Sequence, residues 1–148
     1  MITVDYPSMD ELEKILYEPE MFDRISEDTA PPLEDTKKIA RQFHDRAYHG
    51  QWVGGYIDGE IASLYWTEDS GEFHFMVAEP HRKRAKELAD AFFAKHTDKV
   101  WARIPALYQD VLNFGKRYGF KETKLEKNAY LKNGVLHDVH WLEYEVKV

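Results

Sequence analysis

Hydrophobic positions recur along this chain in two rhythms, and the switches between them mark out its elements. Ile2, Val4 and Tyr6 alternate with polar residues, a period of two that predicts an opening strand. Ser8 and Glu11 have capping-box spacing, with Pro7 and Leu12 placed as a staple, and predict a short helix from Met9 to Leu16. An irregular stretch over 17–32 closes on Pro31 and Pro32. Leu33, Thr36, Ala40, Phe43 and Ala47 then trace one face of a second helix, ending near Gly50. Residues 51–66 read as two strands joined at Asp58-Gly59, a pair suited to a type I′ turn. Gly54-Gly55 within the first of them marks a bulge or a close approach. A turn at Ser70-Gly71 leads into a fourth strand, where Phe73, Phe75 and Val77 alternate with His74 and Met76.

Ala85, Leu88, Ala89, Phe92 and His96 return to spacings of three and four, predicting a helix within 78–96. Residues 99–105 form a fifth strand. Leu107, Val111, Phe114 and Tyr118 mark the apolar face of a last helix, stopped at Gly119. The remainder reads as two strands around Asn133-Gly134. The order is β-α-α-β-β-β-α-β-α-β-β, with no repeat, low-complexity tract or linker. It predicts one α/β (α+β) domain over residues 1–148: a mixed, mostly antiparallel sheet flanked by helices. The helix between the fourth and fifth strands makes those two parallel.

Composition narrows the function classes. The 148 residues are 43% hydrophobic, enough for a sizeable core. The formal net charge of −7 argues against sequence-independent binding to nucleic acid or an anionic membrane, so neither is expected as a partner. No apolar run approaches the roughly 20 residues needed to span a bilayer, and the acidic N-terminus does not read as a signal peptide. A cytoplasmic location is the expectation. Without cysteine there is no thiolate zinc site and no cysteine nucleophile. No metal site is expected either: His137 and His140 sit three apart on a strand, His44 and His49 five apart on a helix, and neither pair shares a face well.

Against this acidic background, Arg82, Lys83, Arg84 and Lys86 crowd the first turn of the predicted helix. A helix N-terminus exposes N–H groups and the positive end of the macrodipole, so four cations there are unfavourable unless an anion joins them. The turn is either a solvated helix start or an anion site.

The run from strand through basic turn to helix, then strand, helix and Gly119-Phe120, resembles the GNAT acetyltransferase superfamily. Arg82 to Glu87 lies where that family has Q/R-x-x-G-x-G/A, the loop that holds the pyrophosphate of acetyl-CoA. Tyr118-Gly119-Phe120 matches the family's helix ending. The stretches 73–89, 102–120 and the closing hairpin are similar to acetyltransferase-like proteins of tailed bacteriophages. The sequence departs from the family at both loop glycines, here Ala85 and Glu87. It departs also at Gly115, where the family usually has its tyrosine acid, and at Tyr108, where it has Asn.

The resemblance implies a sheet splayed between strands four and five, acetyl-CoA as cosubstrate, and an amine acceptor of a protein or small molecule. It implies cofactor binding by Arg82, Lys83, Arg84, Ala85, Lys86 and Glu87, with Met76 and Val77 offering backbone groups to the pantetheine arm. His74, beside the implied thioester path, is the candidate base, with Glu72 and Glu79 as alternatives. The other reading of His74 is a histidine hydrogen-bonded within the fold. Tyr118 and Tyr108 are candidate acids, and Tyr118 also continues the apolar face of its helix. Two functions stay open: an N-acetyltransferase, or a non-catalytic phage protein of the same fold, a virion component or host-directed binding protein. Acceptor identity and oligomeric state are not legible.

Overall fold

Ser8 and Glu11 cap the first helix as their spacing predicts. In the computed structural model, which describes residues 1–16, 52–68, 70–96 and 98–145, the Glu11 N–H donates to Ser8 Oγ at 3.2 Å. The Ser8 N–H donates to Glu11 Oε1 at 2.9 Å. Strand β1 (Ile2–Asp5) precedes this cap and helix α1 (Met9–Leu16) follows it. Tyr6, expected to continue the inward alternation of β1, is instead 59% exposed, because the strand ends at Asp5. The predicted second helix, with Leu33, Thr36, Ala40, Phe43 and Ala47, lies outside the described residues, as do His44 and His49.

Strands β2 (Trp52–Ile57), β3 (Glu60–Thr67) and β4 (Phe73–Val77) complete an antiparallel sheet in the order β1-β2-β3-β4. The β2–β3 turn has Asp58 at φ 50° and Gly59 at φ 85°, as a type I′ turn requires. A 3-10 helix (Glu79–Arg84) runs into α2 (Ala85–Phe93). Strand β5 (Val100–Pro105), helix α3 (Gln109–Tyr118) and strands β6 (Lys121–Lys132) and β7 (Val135–Tyr144) follow. The last three strands pair antiparallel in the order β5-β7-β6. A single parallel bridge, Glu72 with Trp101, joins the two sheets among the described residues. The Trp101 N–H donates to the Gly71 carbonyl there at 3.0 Å. Strands β4 and β5 are therefore parallel, as expected, and part beyond this point.

Apolar side chains fill both faces of the first sheet. On one face Tyr65, Phe73, Leu88, Phe92, Val100, Leu112 and Leu142 form a cluster beneath α2 and α3. On the other, Leu12 and Ile15 of α1 cover Tyr56, Ile61, Leu64 and Met76. Each large side chain so buried contributes about 1.5–3 kcal/mol.

The register between β2 and β3 shifts between Gly55 and Tyr56, leaving Ala62 as the extra residue. This bulge lets Ala62 and Tyr65 share the face beneath α2 while Ile61 and Leu64 point to α1. It also requires a close approach at Gly55. A Cβ there would meet Ser63 Oγ at 2.2 Å and the Tyr65 hydroxyl at 2.5 Å.

Helix α3 buries a different stripe from the expected one. Leu112 and Gly115 are its buried residues, with Phe114 and Tyr118 packed beside the cluster. Leu107 and Val111, assigned to the inner face by their spacing, are 36% and 39% exposed. The helix begins only at Gln109, and Gly115 brings it close to the sheet, where a Cβ would lie 3.6 Å from Ile104 Cδ1. None of the described helices is long and apolar enough to cross a membrane.

Candidate active site

Parting β4 from β5 leaves one edge of β4 without a strand beside it among the described residues. Hydrogen-bond parity shows which residues line that edge. The Ala78 N–H donates to the Ala62 carbonyl at 2.8 Å and the Glu72 carbonyl accepts from the Glu68 N–H, so even-numbered residues face β3. Phe73, Phe75 and Val77 therefore turn their backbone groups to the splay. Val77, named as a backbone contact for the pantetheine arm, is one of these three. Met76, named with it, pairs across with Leu64 instead and is buried against the α1 cluster.

His74 lies on the α1 face of β4, its ring stacked on Trp66 with centroids 4.6 Å apart. Its Nε2 is 3.8 Å from a carboxylate oxygen of Glu68 and 3.8 Å from Glu72 Oε1. Glu72 is only 6% exposed. Arg103 of β5 forks it, Nε donating to Oε1 at 3.1 Å and Nη2 to Oε1 and Oε2 at 3.0 and 3.3 Å. The guanidinium sits 5.9 Å from the centre of Trp101 and 5.6 Å from that of Trp141, rings stacked 5.1 Å apart. Among the described residues, Glu68, Glu72 and His74 are the group of metal-ligating types drawn together. Arg103 supplies a positive charge beside Glu72 within this group.

The basic turn differs from expectation. Residues 79–84 form a 3-10 helix with Pro80 in its first positions, so Arg82, Lys83 and Arg84 precede α2 and do not open it. The Ala85 N–H, implied as a phosphate donor, bonds the Arg82 carbonyl. Arg84 Nη2 donates to Glu87 at 2.7 Å, and Lys86 Nζ to Asp90 at 2.8 Å. The bond from Arg84 holds the Glu87 carboxyl below its ordinary value. Carboxylates one turn ahead thus offset two of the cations. Lys83 is exposed and Arg82 half-buried. Glu79 is exposed in the same 3-10 helix.

Tyr118 is on the opposite side of the sheet from His74. Its ring packs among Phe93, Phe114, Phe120 and Tyr144, and its hydroxyl donates to Asp90 at 2.8 Å. Burial and that bond push its phenol above the ordinary tyrosine range. Tyr144 pairs with Val100, so this cluster sits by the closed end of the splay. Tyr108, whose N–H donates to the Pro105 carbonyl at 3.0 Å, stands at the open end, its ring 6.3 Å from Tyr130. Glu68, Arg103 and the tryptophan stack join the site without a local sequence signal. Arg103 and Glu72 are 31 positions apart, and no local pattern joins them.

Neither a protein-family model nor a curated protein matches the sequence. Solved structures do match. An acetyl transferase from Salmonella typhimurium that modifies the N-terminal serine of 50S ribosomal subunit protein L7/L12 superposes with a TM-score of 0.76. The two are 13% identical over 99% of this chain and 95% of that one. A GNAT superfamily phosphinothricin acetyltransferase from Sinorhizobium meliloti, in complex with AcCoA, gives a TM-score of 0.73 at 16% identity, covering 98% of this chain and 88% of its own. This chain has the GNAT fold. YncA, a putative acetyltransferase from Salmonella typhimurium with its cofactor acetyl-CoA, gives 0.69 at 14% identity, covering 99% and 94%. In this GNAT fold the splay, the edge of β4 and the basic turn lie in continuous sequence from Phe73 to Glu87.

Proposed function

We propose that the chain is an acetyl-CoA-dependent N-acetyltransferase whose acceptor is an amine of a protein or small molecule. The observation that carries this reading is the open edge of β4. It runs from a histidine with two carboxylates 3.8 Å away to a cation-rich turn, in a fold shared with enzymes solved with acetyl-CoA. Acetyl-CoA, when bound, supplies an activated acetyl thioester that a neutral amine attacks directly, so a chain without cysteine suffices. The N–H and C=O of Val77, with Phe75 before it, pair with the amide-bearing arm of the cosubstrate. Met76 holds the strand in place through Leu64.

Arg82 and Lys83 neutralise the phosphates, and Arg84 and Lys86 join them by exchanging Glu87 and Asp90 for a stronger anion. Ala85 and Glu87, where glycines stand in the family, narrow the room for that exchange. His74 takes the proton that the amine loses as the N–C bond forms, directly or through water. Proton transfer by a placed side chain is worth typically 10²–10⁴-fold. Tyr108, at the open end of the splay, is the phenol placed to protonate the leaving sulfur. Tyr118 ties α3 to α2 through Asp90.

Turnover with a panel of primary amines, followed by release of free thiol, tests the reading. His74→Gln is expected to slow it at least tenfold with coenzyme affinity unchanged. Full turnover in a folded His74→Gln protein removes His74 from the mechanism. A second reading, a non-catalytic GNAT-fold binding protein of a phage, is favoured by the internal pairing of Arg84 with Glu87 and by Gly115 at the usual tyrosine position. That reading predicts no thiol release with any amine.

A further inference from the structure

We infer that Arg103 is a positioning residue for His74, acting through Glu72. The inference rests on the reading of His74 as the base. One oxygen carries the connection: Glu72 Oε1 accepts from both Nε and Nη2 of Arg103 and lies 3.8 Å from His74 Nε2. A carboxylate as buried as Glu72 needs a cationic partner to stay in place. Arg103 is that partner, and the fork fixes the carboxylate in plane as well as in position.

The fork is itself held. Stacked Trp101 and Trp141 present their rings to the guanidinium, and the Trp101 indole N–H donates to the Ser70 carbonyl at 2.9 Å, anchoring the pair to the turn before β4. Lys124 of β6 also lies over Trp141, its Nζ 5.1 Å from the ring centre. Glu68 and Glu72 are charged groups that face His74, with Arg103 bonded to Glu72. Trp66 stacks on the ring and sets its plane. Arg103 thus has two effects on the histidine. It fixes the nearer carboxylate, and its positive charge opposes that carboxylate's pull on an imidazole proton.

The test is the titration of His74 followed by NMR of the imidazole, its signal assigned by its loss in His74→Gln. Wild type, Arg103→Met, Glu72→Gln and the double variant are compared. Arg103→Met is expected to raise the midpoint by about half a pH unit or more, and Glu72→Gln to lower it. In the Glu72→Gln background the Arg103→Met effect is expected to fall to less than about half its size, since the coupling runs through that carboxylate. An unchanged midpoint in Arg103→Met, or equal shifts in both backgrounds, overturns the inference. Should Arg103→Met not fold, Arg103→Gln, which keeps a hydrogen bond and loses the charge, is held to the same two criteria. These midpoints do not depend on turnover. A chain that binds no acetyl-CoA but shows the coupling would refute the functional reading and leave the Arg103–Glu72–His74 connection standing.

Discussion

Replacing Gly55 with alanine adds one methyl group at the tightest point of the sheet. The new Cβ would stand 2.2 Å from Ser63 Oγ, 2.5 Å from the Tyr65 hydroxyl and 3.0 Å from Tyr65 Cε2. Ser63 can rotate its hydroxyl away. Tyr65 cannot follow, because its fully buried ring is stacked between Phe75 at 5.1 Å and Phe92 at 4.9 Å. Its hydroxyl also donates to the Leu88 carbonyl of α2 at 2.5 Å, and burial pushes its pKa up to about 12, so the donor proton is retained.

The methyl group therefore either overpacks the sheet, at about 1–3 kcal/mol, or breaks that buried bond as well, at about 1–3 kcal/mol more. In a chain of this size the melting temperature falls by roughly 3–20 °C. Gly54→Ala is the control. Its Cβ would meet Ile61 and Tyr56 at 3.2–3.3 Å, where side-chain ends can give by a few tenths of an ångström, and the loss is expected to be smaller. Thermal unfolding followed by circular dichroism measures both. Adding Tyr65→Phe to Gly55→Ala removes the obstructing oxygen and is expected to cost less than the two changes summed. A Gly55→Ala melt within about 1 °C of wild type, or strict additivity with Tyr65→Phe, would refute the packing argument.

Tyr118→Phe removes the bond to Asp90 and is expected to lower stability by about 0.5–1.5 kcal/mol in urea unfolding, with turnover unchanged if Tyr118 is a tie and not an acid. Stability is expected to fall on acidification below about pH 5. The Asp90 carboxyl is lowered because bonds from Lys86 and Tyr118 outweigh its burial, and that of Glu122 is lowered chiefly by its bond with His140. Carboxyls lowered by folding contribute stability that is full above their unfolded values, 3.8 and 4.5, and is lost as pH falls through the folded ones. Melting temperature against pH, with Asp90→Asn flattening part of the acid limb, checks the sign.

The elements were legible where one local rule decided them. The Ser8–Glu11 box, the Asp58-Gly59 and Asn133-Gly134 turns and the period-two strands all depend on neighbours within a few residues, and each formed as read except that β1 stops at Asp5, one residue short of Tyr6. The parallel pairing of β4 and β5 followed from the helix between them. Failures came where the chain folds back on itself. The stripe of α3 was misread because Gly115, which carries no hydrophobic signal, sets how closely the helix docks. The basic turn is not an α-helix opening, which spacing cannot distinguish from a 3-10 helix begun at a proline. His74 and Glu72 were visible as candidates. The guanidinium and the carboxylate that complete their surroundings come from Arg103 and Glu68, and only the docking of the second sheet and the β3–β4 turn brings those in.

Titration calorimetry with acetyl-CoA tests the central claim, that the open edge of β4 and the basic turn after it hold this cosubstrate. The account predicts binding that weakens as salt is raised, weakens at least tenfold in Arg82→Glu/Arg84→Glu, and tightens in Glu87→Gln, which frees Arg84 for the phosphates. No heat at millimolar acetyl-CoA, or binding indifferent to salt and to all three substitutions, would contradict it.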